Sequence, residues 1–240
     1  MKNELIDMEN KTKKIRLRIQ ALSDLIFGLA LSISALILIA QQPATNEQLF
    51  ASLGLYGFSF LVLIGIWQSY SSVTSILPSE TSGLTDLNVL LLFAVSVEPY
   101  LFNELYSLKG NIPATASEIY SIDLAAMFLI LAFFNQSLIR EEQKHVSESL
   151  LERYTLSRNI FLINVAILAI STAPTFGVAI LHYSAPGISY DVTLRGVLWI
   201  AALVVGYSKR IFDYRINSKA QAAALTISNS QPIRRGGEKQ

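Results

Sequence analysis

Arg18-Ile19-Gln20-Ala21-Leu22-Ser23-Asp24 runs directly into Leu25-Ile26-Phe27-Gly28-Leu29-Ala30-Leu31-Ser32-Ile33-Ser34-Ala35-Leu36. Three costly groups, Arg18, Ser23 and Asp24, stand at the mouth of an apolar run long enough to cross a bilayer. Ionisable side chains at that depth need a partner or a water-filled surface, which makes them the first place to look for function. Steps of three and four from Arg18 put Leu22, Leu25, Leu29, Ile33 and Leu36 on one helical face. Ser32 lies about 60° from the centre of that face on an ideal helix, and Asp24 lies about 120° round from Arg18. That angle excludes an Arg18–Asp24 pair by the three-or-four rule and turns Asp24 toward another helix or another subunit.

The rest of the chain repeats the apolar pattern. Of 240 residues, 52% are hydrophobic and 15% charged, against about 25% charged in a soluble domain. Six blocks meet the requirement of about 20 apolar residues for a span: Leu22–Ala40, Leu49–Tyr70, Leu84–Leu105, Ile119–Ile139, Ile160–Leu181 and Val192–Ile211. The first has a basic flank like a signal peptide, but it is too long and lacks a small-residue cleavage site, so it reads as a retained helix. The expectation is an all-α integral membrane protein with six transmembrane helices over residues 1–216. A disordered tail of Ala, Ser, Gln and Gly follows over 217–240.

Lysine and arginine placement gives the orientation. The N-terminal segment, the link between the fourth and fifth spans and the tail hold 17 of the 19; the opposite side holds Lys109 and Arg195. Both termini are therefore expected in the cytoplasm, as an even number of spans requires, with the protein in the cell membrane. Connections are short: Gln41–Gln48 and His182–Asp191 read as outer turns, and Pro99 and Pro174 as kinks in the third and fifth spans.

Several chemistries find no residues. There are no cysteines, hence no disulfide framework. His145 and His182 lie too far apart in sequence to suggest a His-clustered metal site. The Walker, HExxH, GxSxG and Rossmann patterns are absent, so no enzyme is expected. A net charge of +1 gives no reason to expect nucleic acid. Val204-Val205-Gly206-Tyr207 is like the carbonyl filter of ordinary potassium channels, but it lacks the final glycine and ends a span where that filter sits on a re-entrant loop. Asn88 reads as an interhelical hydrogen-bonding group. Glu98 and Asp123 are read as groups near the outer ends of their spans. Trp67 is either an interfacial anchor or a packing residue.

Arg18-x-x-x-Leu22-Ser23-Asp24 resembles the RxxxFSD signature of the TMEM175 potassium channels, with Leu22 in place of Phe. Ser59-Phe60 with Ile64-Gly65-Ile66-Trp67 is similar to that family's SF…IGxxW pattern. Leu87-Asn88-Val89-Leu90-Leu91-Leu92, Val95-Ser96 and Pro99 are similar to its LNxLLL…VS…P run. Tyr120 with Asp123-Leu124 is a looser match. The resemblance implies a six-helix subunit, a homotetramer around a central pore lined by the first helix, and conduction of K+ and other monovalent cations across the lipid bilayer without a cofactor. Leu29 would form the hydrophobic constriction, with Ile33 and Leu36 continuing it and Ser32 offering a hydroxyl to a passing cation. Arg18, Ser23, Asp24, Trp67, Tyr70 and Asn88 would form the supporting network. Tyr70 stands where the family commonly has His, a hydroxyl in place of an imidazole. From the residues alone, a secondary transporter with a midplane polar site at Asn88, Glu98 and Asp123 remains the alternative, as does a non-conducting scaffold.

Overall fold

The computed structural model describes residues 2–40, 45–75, 82–106, 114–142, 148–185 and 188–208. Five long helices come first: α1 (Lys2–Ala40), α2 (Asn46–Thr74), α3 (Ser82–Tyr106), α4 (Ala114–Glu142) and α5 (Glu148–Ser171). A 3-10 turn (Pro174–Gly177) and two strands, β1 (Ala179–Ala185) and β2 (Ile188–Thr193), precede a shorter apolar helix, α6 (Leu194–Ser208). All five long helices carry stretches able to cross a membrane: Leu17–Ile39, Asn46–Thr74, Gly83–Leu105, Thr115–Arg140 and Leu151–Ser171. The chain is thus a multi-pass membrane protein of nearly all-helical fold. It divides at Gly206 into Met1–Gly206 and Tyr207–Gln240; of the second unit only Tyr207 and Ser208 are described. The tail expected over 217–240, and residues 209–211 of the sixth expected span, lie outside the described residues.

Local chemistry accounts for several boundaries. The Thr45 side chain accepts a hydrogen bond from the Gln48 backbone N–H at 3.2 Å and so caps α2. Threonine followed three residues later by glutamine is the capping-box pattern. At the far end, the Ser75 N–H bonds the Ser71 carbonyl at 3.1 Å. Pro99 does not end α3, which runs on to Tyr106.

The fifth span departs from expectation. Its helix stops at Ser171 rather than Leu181, and Pro174 opens the 3-10 turn instead of kinking a helix. A proline disfavours helical backbone in the residue before it, and Ala173 is extended at φ −60°, ψ 138°. The chain then pairs with itself: β1 and β2 are antiparallel, with Tyr183 opposite Tyr190 and Ala185 opposite Ile188. The reading of His182–Asp191 as a plain turn is therefore corrected to a β-hairpin that begins at Ala179, within the expected helix. An apolar run does not by itself distinguish strand from helix.

The core lies among α2, α3, α4, α5 and one side of α1. Leu63, Leu91, Val95, Met127, Leu131 and Leu168 are fully enclosed in it. α1 packs on α2 and α3, while α4 packs on α3, α2 and α5. Coverage differs sharply between spans: half of the most apolar stretch of α4 is buried, but only 22% of that of α1.

Candidate ion pathway and the network behind it

α1 has two unlike faces. Ser23, Phe27, Ala30 and Ser34 are buried, at spacings of four, three and four that define one helical stripe. Leu22, Leu25, Leu29, Ile33 and Leu36 are exposed, as is Ser32. The face expected from the sequence is thus the face that no other described part of the subunit covers. Ser32 Oγ donates to the Gly28 carbonyl at 2.8 Å. Its one proton is committed to its own helix, so the oxygen that remains can only accept.

The buried stripe is pinned by α2. Ser23 Oγ donates to the Ile19 carbonyl at 2.9 Å and lies 2.7 Å from the Tyr70 hydroxyl. Because the serine proton goes to Ile19, Tyr70 is the donor between the two hydroxyls. Tyr70 is buried, with its ring 5.9 Å from that of Phe27 and 6.1 Å from that of Phe134 on α4. Trp67 Nε1, one turn earlier, donates to Asp24 Oδ1 at 2.8 Å. Asp24 therefore looks across to α2, and no ion pair joins it to Arg18 among the described residues. Arg18 is exposed at the start of the span. Asn88 on α3 is buried, and its Oδ1 has no hydrogen-bond partner among the described residues.

A second polar group sits in the core of the subunit. Glu98 is completely buried and accepts from Ser59 Oγ at 2.9 and 3.2 Å and from the Tyr120 hydroxyl at 3.2 Å. The group joins α2, α3 and α4. Asp123 is partly buried, and its Oδ2 lacks a hydrogen-bond partner among the described residues. From the sequence Glu98 is expected either to attract cations near the outer mouth or to reach interfacial water; the structure encloses it instead, because Ser59 and Tyr120 supply the donors a buried carboxyl requires. The largest omission was Arg195. Counted only as a charge on the far side, it is 1% exposed and bonded to the end of α5 and the start of α4. No group of three or more His, Cys, Asp or Glu side chains able to hold a metal ion occurs among the described residues.

Comparison with known proteins bears on the same helices. Residues 18–99 match the profile of the family described as the endosomal/lysosomal potassium channel TMEM175. The matched segment begins at Arg18 and ends at Pro99, and so contains the whole network around Ser23 and Asp24. No curated protein matches the chain. The fold is similar to the crystal structure of a lysosomal potassium-selective channel TMEM175 homolog from Chamaesiphon minutus, with a TM-score of 0.55 at 16% identity over 82% of this chain and 98% of that one. Both descriptions are of ion channels, not of enzymes.

Proposed function

From a chain whose first three helices carry the TMEM175 family's pattern, we propose a channel that conducts cations down their gradient and favours potassium. Four copies surround a central pore, and α1 of each copy lines it. Leu29 forms the constriction, and Ile33 and Leu36 extend the narrow section by one and two turns. The observation that carries this reading is the bare apolar face of α1, held from behind by bonds from Trp67 and Tyr70. A helix clamped on one side and uncovered on the other is suited to meet copies of itself around an axis.

An apolar ring opposes every ion, because an ion entering it sheds part of its hydration shell. The accepting oxygen of Ser32 lies beside that ring and replaces part of the lost water. Potassium gives up its shell more readily than sodium, so the pore favours it without a carbonyl filter, and less strictly than a carbonyl cage. Arg18, Ser23, Asp24, Trp67, Tyr70 and Asn88 aim the α1 face and do not touch the ion. The basic residues of the N-terminal segment, of the α4 end and α5 start around Lys144 (Arg140, Arg153 and Arg158), and of the tail favour both termini in the cytoplasm, with the protein in the cell membrane. No cofactor is required; the permeating ion is the only ligand.

The test is Leu29→Ala in reconstituted protein. A wider constriction raises potassium flux, while unaltered flux removes Leu29 from that role. The buried Glu98 group is the observation that favours a secondary transporter. A transporter saturates and couples to a second solute, whereas a channel passes current on a single gradient.

A further inference from the structure

The chain leaves the helical pattern at Ser171 and resumes it at Leu194, and one side chain bridges that gap. Arg195 Nε donates to the Ser171 carbonyl at 2.8 Å, and Nη2 reaches the Ala173 and Thr172 carbonyls at 3.3 and 3.5 Å. Nη1 donates to Ser117 Oγ, and Nη2 forms an ion pair with Glu118 at 3.4 Å. The guanidinium thus holds the last carbonyls of α5, both ends of the β-hairpin segment and the beginning of α4.

The position of this charge is informative. A cation in the first turn of α6 opposes that helix's own dipole, but at the C-terminus of α5 it complements the negative end. It also satisfies carbonyls that a helix end leaves without donors. Arg195 is therefore placed to serve α5 and α4 rather than the helix that carries it.

Besides Arg195, the ties of α6 include the Trp199 Nε1 bond to Ser121 Oγ at 2.8 Å, the Trp199–Tyr120 ring contact at 4.9 Å and the buried Ala202. Most of the buried core comes from α1 to α5, and α6 adds Ala202 to it with Trp199 and Leu203 packed alongside.

We propose that Arg195 is a latch: it clasps the hairpin and keeps α6 seated against α4 and α5. Its release frees the segment from Thr172 to Ser208 while α1 to α4 stay folded. Glu118 is the counter-charge of the latch, and the forked guanidinium is required because several carbonyls are bound at once.

The chain has no cysteine, so a single introduced thiol reports local opening without background. Ala202→Cys on α6 and Ala94→Cys on α3, both at buried positions, are labelled with a membrane-permeant thiol reagent in the parent and Arg195→Met backgrounds. In the Met background Ala202→Cys labels at least about tenfold faster, as a local opening requires, and Ala94→Cys keeps its parent rate. Arg195→Lys, a point charge without the fork, and Glu118→Gln give the same pattern with smaller factors. Equal protection of Ala202→Cys in both backgrounds overturns the latch. Equal acceleration at both positions also overturns it, because Arg195 then supports the whole fold and not one segment. If Arg195→Met does not fold, the Lys and Gln variants decide by the same two readouts.

Discussion

Leu29 on α1 and Leu131 on α4 are the same side chain in two apolar helices of one subunit. Leu131 is completely buried; Leu29 is 57% exposed. α4 is enclosed by α2, α3 and α5, while α1 rests on α2 and α3 along a single stripe. In water the exposed leucine would be costly at ~25 cal/mol per Å² of apolar surface. In a bilayer it costs nothing, so apolarity alone does not say whether a face meets lipid, a neighbour or a pore. The polar atoms make the distinction. α1 is fixed by named hydrogen bonds on one side only, which gives its other side a defined direction.

Truncation separates the two helices most strongly. Phe134→Ala on α4 is expected to lower stability by about 3–5 kcal/mol, because it removes a buried ring and leaves a cavity against Tyr70. Leu29→Ala on α1 is expected to change stability by less than about 0.5 kcal/mol, as for an exposed position, while it raises flux. Unfolding of both variants in the same detergent checks the pair; similar losses at the two sites break the contrast.

The clamp gives an intermediate effect. Trp67→Phe keeps the aromatic packing and removes the donor to Asp24, an exposed bond, at a cost of about 0.5–1.5 kcal/mol. Asp24→Ala is expected to impair folding or assembly, and a well-folded, fully active Asp24→Ala assembly contradicts the network. A double-mutant cycle with Trp67→Phe and Asp24→Asn should show coupling, since the two side chains are in direct contact.

Tyr70→Phe is a smaller perturbation. It removes the bond to Ser23 and leaves both ring contacts, an expected loss of about 1 kcal/mol. Thermal unfolding measures it, and an unchanged midpoint shows that the hydroxyl pair contributes nothing. Ser32→Ala is expected to be the least damaging to the fold, because the serine is exposed and bonds only within its own helix. Its effect belongs in the ratio of potassium to sodium permeability, which falls if the hydroxyl oxygen meets the ion.

Four of the five long helices were legible in place, and the fifth in existence but not in extent, because crossing a bilayer imposes a length on an apolar run. The two faces of α1 were legible for another reason: a spacing of six residues places Asp24 away from Arg18, and the bond to Trp67 agrees. The β-hairpin was not legible, since Val178, Ala179, Ile180 and Leu181 extend the apolar run of α5 and a hydropathy pattern has no term for strand pairing. Arg195 escaped because most of its partners are backbone carbonyls, which carry no residue-type signal, and its side-chain partners, Ser117 and Glu118 on α4, lie far away in sequence. Glu98 was seen but misplaced: its donors, Ser59 and Tyr120, lie on two other helices.

The central claim is that this chain forms a cation pore favouring potassium. Reversal-potential recording tests it most directly, with purified protein in a planar bilayer and potassium and sodium on opposite sides. A current on these gradients alone, reversing at a potential displaced from zero in the sense that favours potassium, is the predicted result. No current, or a reversal displaced in favour of sodium, would contradict the claim.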